Sequence, residues 1–298
     1  MSNKPSRATS LDELQNKIGN LFSVLMAQSK PFFPRSTDVI ISPFGKCGTT
    51  WLQQLFHTLR TRGDSDFDDI SRVVPWIETS PGLGLDLDAP QKAEPRGFKS
   101  HHTWYDVPKG GRYIVSFRDP GDAALSLYKF FEGWWFEPGS IELDEFVCDY
   151  YLGRPLGSSY WEHLISWWQQ RDNEAILLLS FEAMKQDPTA LVKKIADFCD
   201  IDLDDDLLAH TLEKTSLPFM LRHKNQFDDL LMREKSELEA NLPAGSDSAK
   251  VREGKVGNYK KALSSRALAA LDDKWQETIA DRLSFVNYSE FRAAVERI

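Results

Sequence analysis

Residues 38–60 read DVIISPFGKCGTTWLQQLFHTLR. The run from Asp38 to Ser42 is short, apolar and β-branched, the pattern of a buried strand. Pro43, Gly45 and Gly48 then rule out regular structure and allow a tight loop with positive-φ positions. From Thr49 the apolar residues Trp51, Leu52, Leu55, Phe56 and Leu59 recur at helical spacing. A strand that turns through glycines into a helix leaves several backbone N–H groups unpaired and pointing one way. Together with the positive end of the helix dipole, these donors make an anion site. Lys46 adds a full charge, and Thr49 and Thr50 add hydroxyl donors. The stretch reads as a loop that holds phosphate or sulfate; the plainer alternative is a turn with an incidental lysine.

The loop is not the usual nucleotide-triphosphate version. That motif places its lysine after the last glycine and a Ser/Thr hydroxyl on magnesium. Here the order is Gly45-Lys46-Cys47-Gly48-Thr49-Thr50-Trp51. A small-molecule kinase is therefore the rival enzyme reading, with the missing Gly-Lys-Ser/Thr order against it. No carboxylate pairs with the loop hydroxyls in the manner of a magnesium site, so no metal is expected.

The 298 residues suffice for one large α/β domain, and 41% hydrophobic residues can build a sizeable core. A net charge of −9 argues against a nucleic-acid or anionic-membrane surface, so any anion must sit in a local pocket. Cys47, Cys148 and Cys199 show neither metal spacing nor an even count for a disulfide framework, which points to a reducing compartment. Met1 to Thr9 is polar and lacks the apolar core of a secretory signal, and no run approaches a membrane span. A soluble, cytoplasmic protein is the expectation.

In chain order, Ser10-Leu11-Asp12-Glu13 fits a capping box and opens an amphipathic helix through about Gln28. Leu11, Leu14, Ile18, Leu21 and Leu25 form its stripe. The acidic turn 63–69 and the irregular segments 73–78 and 83–90 follow. Arg96–His101 reads as a second strand and Arg112–Phe117 as a third, which ends at Arg118-Asp119-Pro120-Gly121-Asp122. Ala123, Ala124, Leu127, Tyr128 and Phe131 then share one helical face. Residues 143–151 and 158–171 are helical patterns. Ala175–Leu179 is uniformly apolar, a fourth strand buried on both faces, and Pro188 opens a helix lined by Leu191, Ile195 and Phe198. After a helix at 207–214, the charged stretch 221–251 is a candidate lid or a solvated excursion. A closing helix runs from about Ser264 to Leu283.

Alternating strands and helices imply one α/β domain spanning residues 1–298, with a central, mostly parallel sheet flanked by helices. Ligands in such folds bind at the carboxyl ends of the strands. That rule brings the loop after Ser42, the strand end at His101 and the turn at Arg118 to one edge. Arg118, Ser126 and Arg252 form a second anion constellation, since a guanidinium fork matches phosphate oxygens. The alternative is that Arg118 clamps Asp119 or Asp122. His101 can take a proton at working pH, because an unperturbed imidazole titrates near ~6.5. His102 is the competing histidine; in an extended strand only one of the two faces the cleft.

Lys46-Cys47-Gly48-Thr49-Thr50-Trp51 resembles the Lys-Ser-Gly-Thr-Thr-Trp loop of cytosolic-type sulfotransferases. In that family the loop grips the 5′-phosphosulfate of 3′-phosphoadenosine 5′-phosphosulfate (PAPS). Lys99-Ser100-His101 is similar to the family's Lys-Thr-His, whose histidine is the general base. Arg118-Asp119-Pro120-Gly121-Asp122 through Ser126 and Tyr128 resembles the segment that holds the 3′-phosphate. Arg252-Glu253-Gly254 resembles the Arg-Lys-Gly element that closes over it, with Glu253 in place of a cation and Lys255 as a substitute. Thr215-Ser216-Leu217 resembles a Thr-Ser-Phe segment beside the adenine, with Leu217 in place of an aromatic. The likeness spans about Asp38 to Lys260 and includes Trp161, His163, Trp167 and Trp168, and Phe181-Glu182-Ala183-Met184. It implies in-line sulfuryl transfer from PAPS, leaving the desulfonated nucleotide PAP. His101 would deprotonate a hydroxyl or amine, Lys46 would stabilise the departing oxygen, and Lys99 would neutralise sulfonate oxygens. Glu253 and Leu217 keep open a catalytically silent nucleotide-binding protein.

Phe44, Trp76, Trp104, Phe130, Phe131, Trp134, Trp135, Phe136 and Tyr160 are candidates to line an acceptor pocket, although most aromatics are simply core. As a group they favour a small apolar acceptor over a sugar polymer. The short Lys-Thr-Val-Glu segment through which family members often pair has no counterpart at Lys260–Ser265, which argues against dimerisation by that route.

Overall fold

The computed structural model describes residues 4–153, 157–248 and 250–298; residues 1–3 of the polar leader and Ala249 of the candidate lid lie outside them. Four strands form one sheet in the order β2-β1-β3-β4. They are β1 (Val39–Ile41), β2 (Gly97–Lys99), β3 (Arg112–Phe117) and β4 (Ile176–Ser180). Every pairing is parallel, with Ile40 opposite both Phe98 and Tyr113, and Val115 opposite Leu178. The all-apolar strand patterns follow from this arrangement: a parallel sheet has helices on both faces and no wet side.

Alternation along each strand divides the core in two. Val39, Ile41, Ile114, Leu177 and Leu179 face one way, against Leu52, Leu55, Phe56 and Leu59 of helix α2 (Thr49–Thr61) and Leu191, Val192 and Ile195 of the helix Pro188–Phe198. Ile40, Phe98, Tyr113, Val115 and Leu178 face the other way. That larger cluster takes in Leu14, Ile18, Leu21 and Leu25 of helix α1 (Leu11–Met26) and the tryptophan-rich helix Tyr160–Trp168. From β1 the chain crosses to β2 on one side, whereas β3 lies on the other. The loops after β1 and β3 therefore diverge at the centre of the sheet's carboxyl edge, where such folds bind ligands.

Several elements differ in detail from the sequence reading. Ser10 caps α1 by accepting from the Glu13 N–H at 3.3 Å, but the Glu13 carboxylate returns to the Thr9 N–H at 2.8 Å rather than to Ser10. The closing helix Ser265–Trp275 widens into a π turn at Gln276–Ala280. A further helix, Tyr288–Val295, follows it, capped by Asn287, whose side chain accepts from the Glu290 N–H at 3.1 Å. Phe291 on this helix is fully buried against Phe117, Trp168 and Phe285. The stretch 221–251 is no solvated excursion. Its helix Leu230–Glu239 packs on α1, Phe227, Met232 and Leu242 are buried, and Ser236 accepts from the Trp134 indole N–H at 3.0 Å. Among the described residues no helix is long and apolar enough to cross a membrane.

β1 and β2 are also tied by a buried ion pair. Arg96 donates to both Asp38 oxygens, at 2.9 and 2.6 Å, and a third donor goes to the Leu87 carbonyl at 3.2 Å. Both residues are almost fully buried, so removing one partner strands the other's charge away from water. Asp38→Ala is expected to lose about 3–5 kcal/mol of stability. A urea titration checks this as a lower midpoint at unchanged slope.

Candidate active site

The turn between β1 and α2 depends on two left-handed residues, Lys46 at φ 69° and Gly48 at φ 101°. At Gly48 a side chain would also crowd the Phe181 ring, since a Cβ there lies 3.1 Å from it. No side chain caps α2, so the first-turn amides, which a helix cannot pair internally, stay open to a ligand. The loop is held from β3. Arg118 donates to the Lys46 carbonyl at 3.0 Å, and the Ser116 hydroxyl donates to the Cys47 carbonyl. Cys47 itself is fully buried beneath the turn, so it shapes the loop through its backbone.

A single cavity of about 1430 Å³ opens at this edge and is lined by Lys46, Lys99, His101, Arg118, Ser126 and Arg252. Sequence reasoning drew these residues from four separate segments, and the fold brings all of them together. The Lys46 ammonium lies 4.0 Å over the Phe130 ring and the Lys99 ammonium 4.0 Å over the Trp76 ring. Burial, then repulsion from Lys250, pulls the Lys99 pKa down to about 8, against the support of Asp229, Glu78 and Asp69. Lys46 is pushed well below the ordinary lysine range by the same two effects, with Arg118 and Arg252 adding to them.

The His101 ring places Nδ1 2.7 Å from the Pro43 carbonyl. A carbonyl can only accept, so Nδ1 carries the proton and Nε2 is the basic nitrogen. Its ring meets Trp76 edge-on with centroids 5.2 Å apart. His102 lines the cavity as well. The expected either-or between the two histidines does not hold, because β2 ends at Lys99 and strand alternation stops before them.

The second cradle forms where Arg118 also reaches the Lys255 carbonyl at 3.0 Å. The clamp on Asp119 or Asp122 is not made. Asp119 accepts from the Gly121 N–H at 2.9 Å to cap the helix Pro120–Phe131, and Asp122 accepts from the Gly257 N–H at 2.6 Å. Glu253 points at Lys255, 2.8 Å away, so its charge is neutralised locally. Glu253 and Gly254 both border the cavity. Thr49, Thr50, Trp51, Thr215 and Leu217 line the same cavity, but the Thr215 hydroxyl donates back to Thr211 at 2.7 Å. Thr49 Oγ1, Trp51 Nε1 and Arg118 Nε are buried donors without a partner among the described residues. Such orphaned donors fit an anionic nucleotide rich in acceptor oxygens.

Trp76, Phe131, Trp134 and Trp135 line the apolar half of the cavity, joined by Ile18, Phe22 and Met26 of α1. Phe44 and Trp104 sit away from this wall. Phe44 packs edge-on against Tyr160 and His163, and Trp104 against Tyr113 and Trp167, because both lie where loop and helix meet under the rim. Charged wall residues also escaped sequence reasoning, among them Glu78, Asp229 and Lys250. Glu78 accepts from the Ser100 hydroxyl at 2.6 Å and from the His101 N–H at 2.8 Å. Asp229 and Lys250 form an ion pair inside the cavity, with each side chain only 9% exposed. Burial raises the Asp229 carboxyl, but Lys250, Lys99 and Lys46 outweigh it and hold the group below the usual carboxylate range.

A family model described as a sulfotransferase domain matches residues 36–282. Sulfotransferase 2A1 of Rattus norvegicus is 28% identical over 257 residues, covering 84% of this chain and 87% of that protein. Among solved structures, retinol dehydratase in complex with androsterone and inactive cofactor PAP superposes with a TM-score of 0.69 at 17% identity, covering 89% of this chain and 85% of that one. Mouse sulfotransferase SULT7A1 complexed with PAP gives 0.65 at 19% identity, with 93% of each chain covered. The loop, the strand-end histidine and the paired anion cradles thus sit on the expected fold, and the chain belongs to the sulfotransferase family.

Proposed function

We propose that this sulfotransferase takes PAPS as its donor and moves the sulfuryl group to a hydroxyl or amine of a small apolar acceptor, with His101 as general base. The supporting observation is that one cavity gathers Lys46, His101 and Arg118, with orphaned donors on the phosphate side and aromatics on the other. PAPS, when bound, supplies the sulfuryl group and departs as PAP. The first-turn amides of α2, with Thr49 and Thr50, would hold the 5′-phosphate end. Arg118, Ser126 and Arg252 would hold the 3′-phosphate, with Trp51, Thr215 and Leu217 beside the base. Lys46 and Lys99 would place fixed positive charge where negative charge develops, in a site partly closed to water where such charge counts most. The Pro43 carbonyl keeps His101 in the tautomer whose Nε2 can accept the acceptor's proton. The acceptor half is apolar and wide, and androsterone, found in the retinol dehydratase complex, is an apolar hydroxylated molecule of that kind.

In a thermal-shift series, PAP and PAPS are expected to raise the melting temperature and magnesium-ATP to leave it unchanged. Stabilisation by magnesium-ATP alone would reverse the assignment. His101→Ala is expected to lower kcat by about 10²–10⁴-fold while keeping the PAP shift, as measured with labelled donor and a panel of phenols, alcohols and amines.

Lys99 is charged below its pKa of about 8 and neutral above it, so kcat/KM should fall on the alkaline side near that pH. Asp229→Asn removes an anion that supports the Lys99 charge. That alkaline limb should therefore move to lower pH, and an unmoved limb would show that Lys99 is not the titrating group.

A further inference from the structure

Glu78 lies in the irregular segment between α2 and β2, is 7% exposed, and reaches the cavity wall. Its Oε1 accepts from the Ser100 hydroxyl at 2.6 Å and from the His101 backbone N–H at 2.8 Å. The Ser100 hydroxyl oxygen in turn accepts from the His102 N–H at 3.0 Å, and His102 Nε2 stands 3.6 Å from the same carboxylate oxygen. One carboxylate therefore organises three consecutive residues at the strand end that carries the base. Its other oxygen, Oε2, is buried without a hydrogen-bond partner among the described residues.

A strut could do this holding without charge. An amide oxygen accepts the same two hydrogen bonds, and burying a half-satisfied carboxylate is costly. What an amide cannot supply is negative charge at the backbone of the residue whose imidazole must become a cation. Charged groups of both signs line the same cavity, and the ammonium groups among them oppose that cation. Lys99 from β2 and Lys46 from the loop are both ammonium groups, and the Asp229–Lys250 pair from the covering segment largely cancels itself. Asp69 is a further anion that Lys99 senses, and His102 is a second imidazole in the same cluster. Glu78 is the carboxylate in direct contact with the residue that carries the base.

We infer that Glu78 is the positioning residue of the general base: its hydrogen bonds fix the strand end that presents His101, and its charge favours the protonated imidazole. In the transfer step the acceptor's O–H or N–H proton goes to His101 Nε2 as the acceptor's lone pair forms the new bond to sulfur, while the bond from sulfur to the nucleotide's phosphate oxygen breaks and its electron pair leaves with PAP. The other proton stays on Nδ1, donated to the Pro43 carbonyl, and the resulting imidazolium belongs to the residue whose backbone N–H the Glu78 carboxylate accepts, until Nε2 gives its proton to water. This inference rests on His101 being the base.

Glu78→Gln keeps the shape and both accepted hydrogen bonds and removes only the charge. The acid limb of its kcat/KM profile should move down by about 0.5–1 pH unit, within the range a neighbouring charge produces. The His101 imidazole, assigned in NMR spectra by its disappearance in His101→Ala, should titrate lower by the same amount. The PAP-induced thermal shift should stay that of the wild type, because Glu78 is not in the phosphate cradle. If the Gln variant's pH profile and imidazole titration superimpose on the wild type while His101→Ala is inactive, Glu78 has no such role and the base assignment stands. Full activity in His101→Ala would overturn the base assignment and this inference with it.

Discussion

Two hydrogen bonds from the end of β3 to the loop after β1 hold this molecule's chemistry in place. Arg118 takes the Lys46 carbonyl and Ser116 the Cys47 carbonyl. The loop's acceptors are thus occupied on the sheet side, and the donors of the first turn of α2 are left for the cavity. The tie works only because β1 and β3 are neighbours in a parallel sheet whose order reverses between them. The same guanidinium reaches the Lys255 carbonyl, so the loop after β1 and the segment at Lys255 share one structural member. A distortion of one is transmitted to the other through a single side chain.

The charge balance reflects this concentration. The chain carries a net charge of −9, yet the cavity wall gathers Lys46, Lys99, Arg118, Lys250 and Arg252. Carboxylates such as Glu78, Asp106 and Asp229 line the same cavity, so the pull on an anion is local to the lysines and arginines rather than a field of one sign. The cost is visible in the depressed lysine pKa values, which arise from burial first and mutual repulsion second. Asp229 works against the depression of both lysines and Glu78 against that of Lys99, although Asp229 is itself paired with Lys250.

Much of the scaffold was legible in the residues themselves. β1 and β3 announce themselves as apolar runs that end before a proline, and Arg118 follows the second directly, whereas Lys46 comes after Ser42-Pro43-Phe44-Gly45 and His101 after the weaker run Arg96–Ser100. Glu78, Asp229 and Lys250 were not legible, because they sit in segments with no period and meet the site only through tertiary packing. Aromatic residues show the same limit. Trp76 and Trp104 look alike in sequence, but one reaches the cavity and the other packs between Tyr113 and Trp167, a difference set by which side of the rim each loop crosses. The last helix was missed although its Asn287 and Glu290 carry a capping signal, because it is short and follows a helix whose period breaks in a π turn.

Helix α1 precedes the stretch that matches the family, which begins at residue 36. It nevertheless supplies Ile18, Phe22 and Met26 to the cavity wall, where Phe22 meets Trp76 edge-on. Part of the cavity wall is therefore written in a helix that lies outside the matched stretch. Substitutions on that helix face can reshape what the pocket admits while the donor machinery stays untouched, which gives this architecture a route to new acceptors through a single peripheral element.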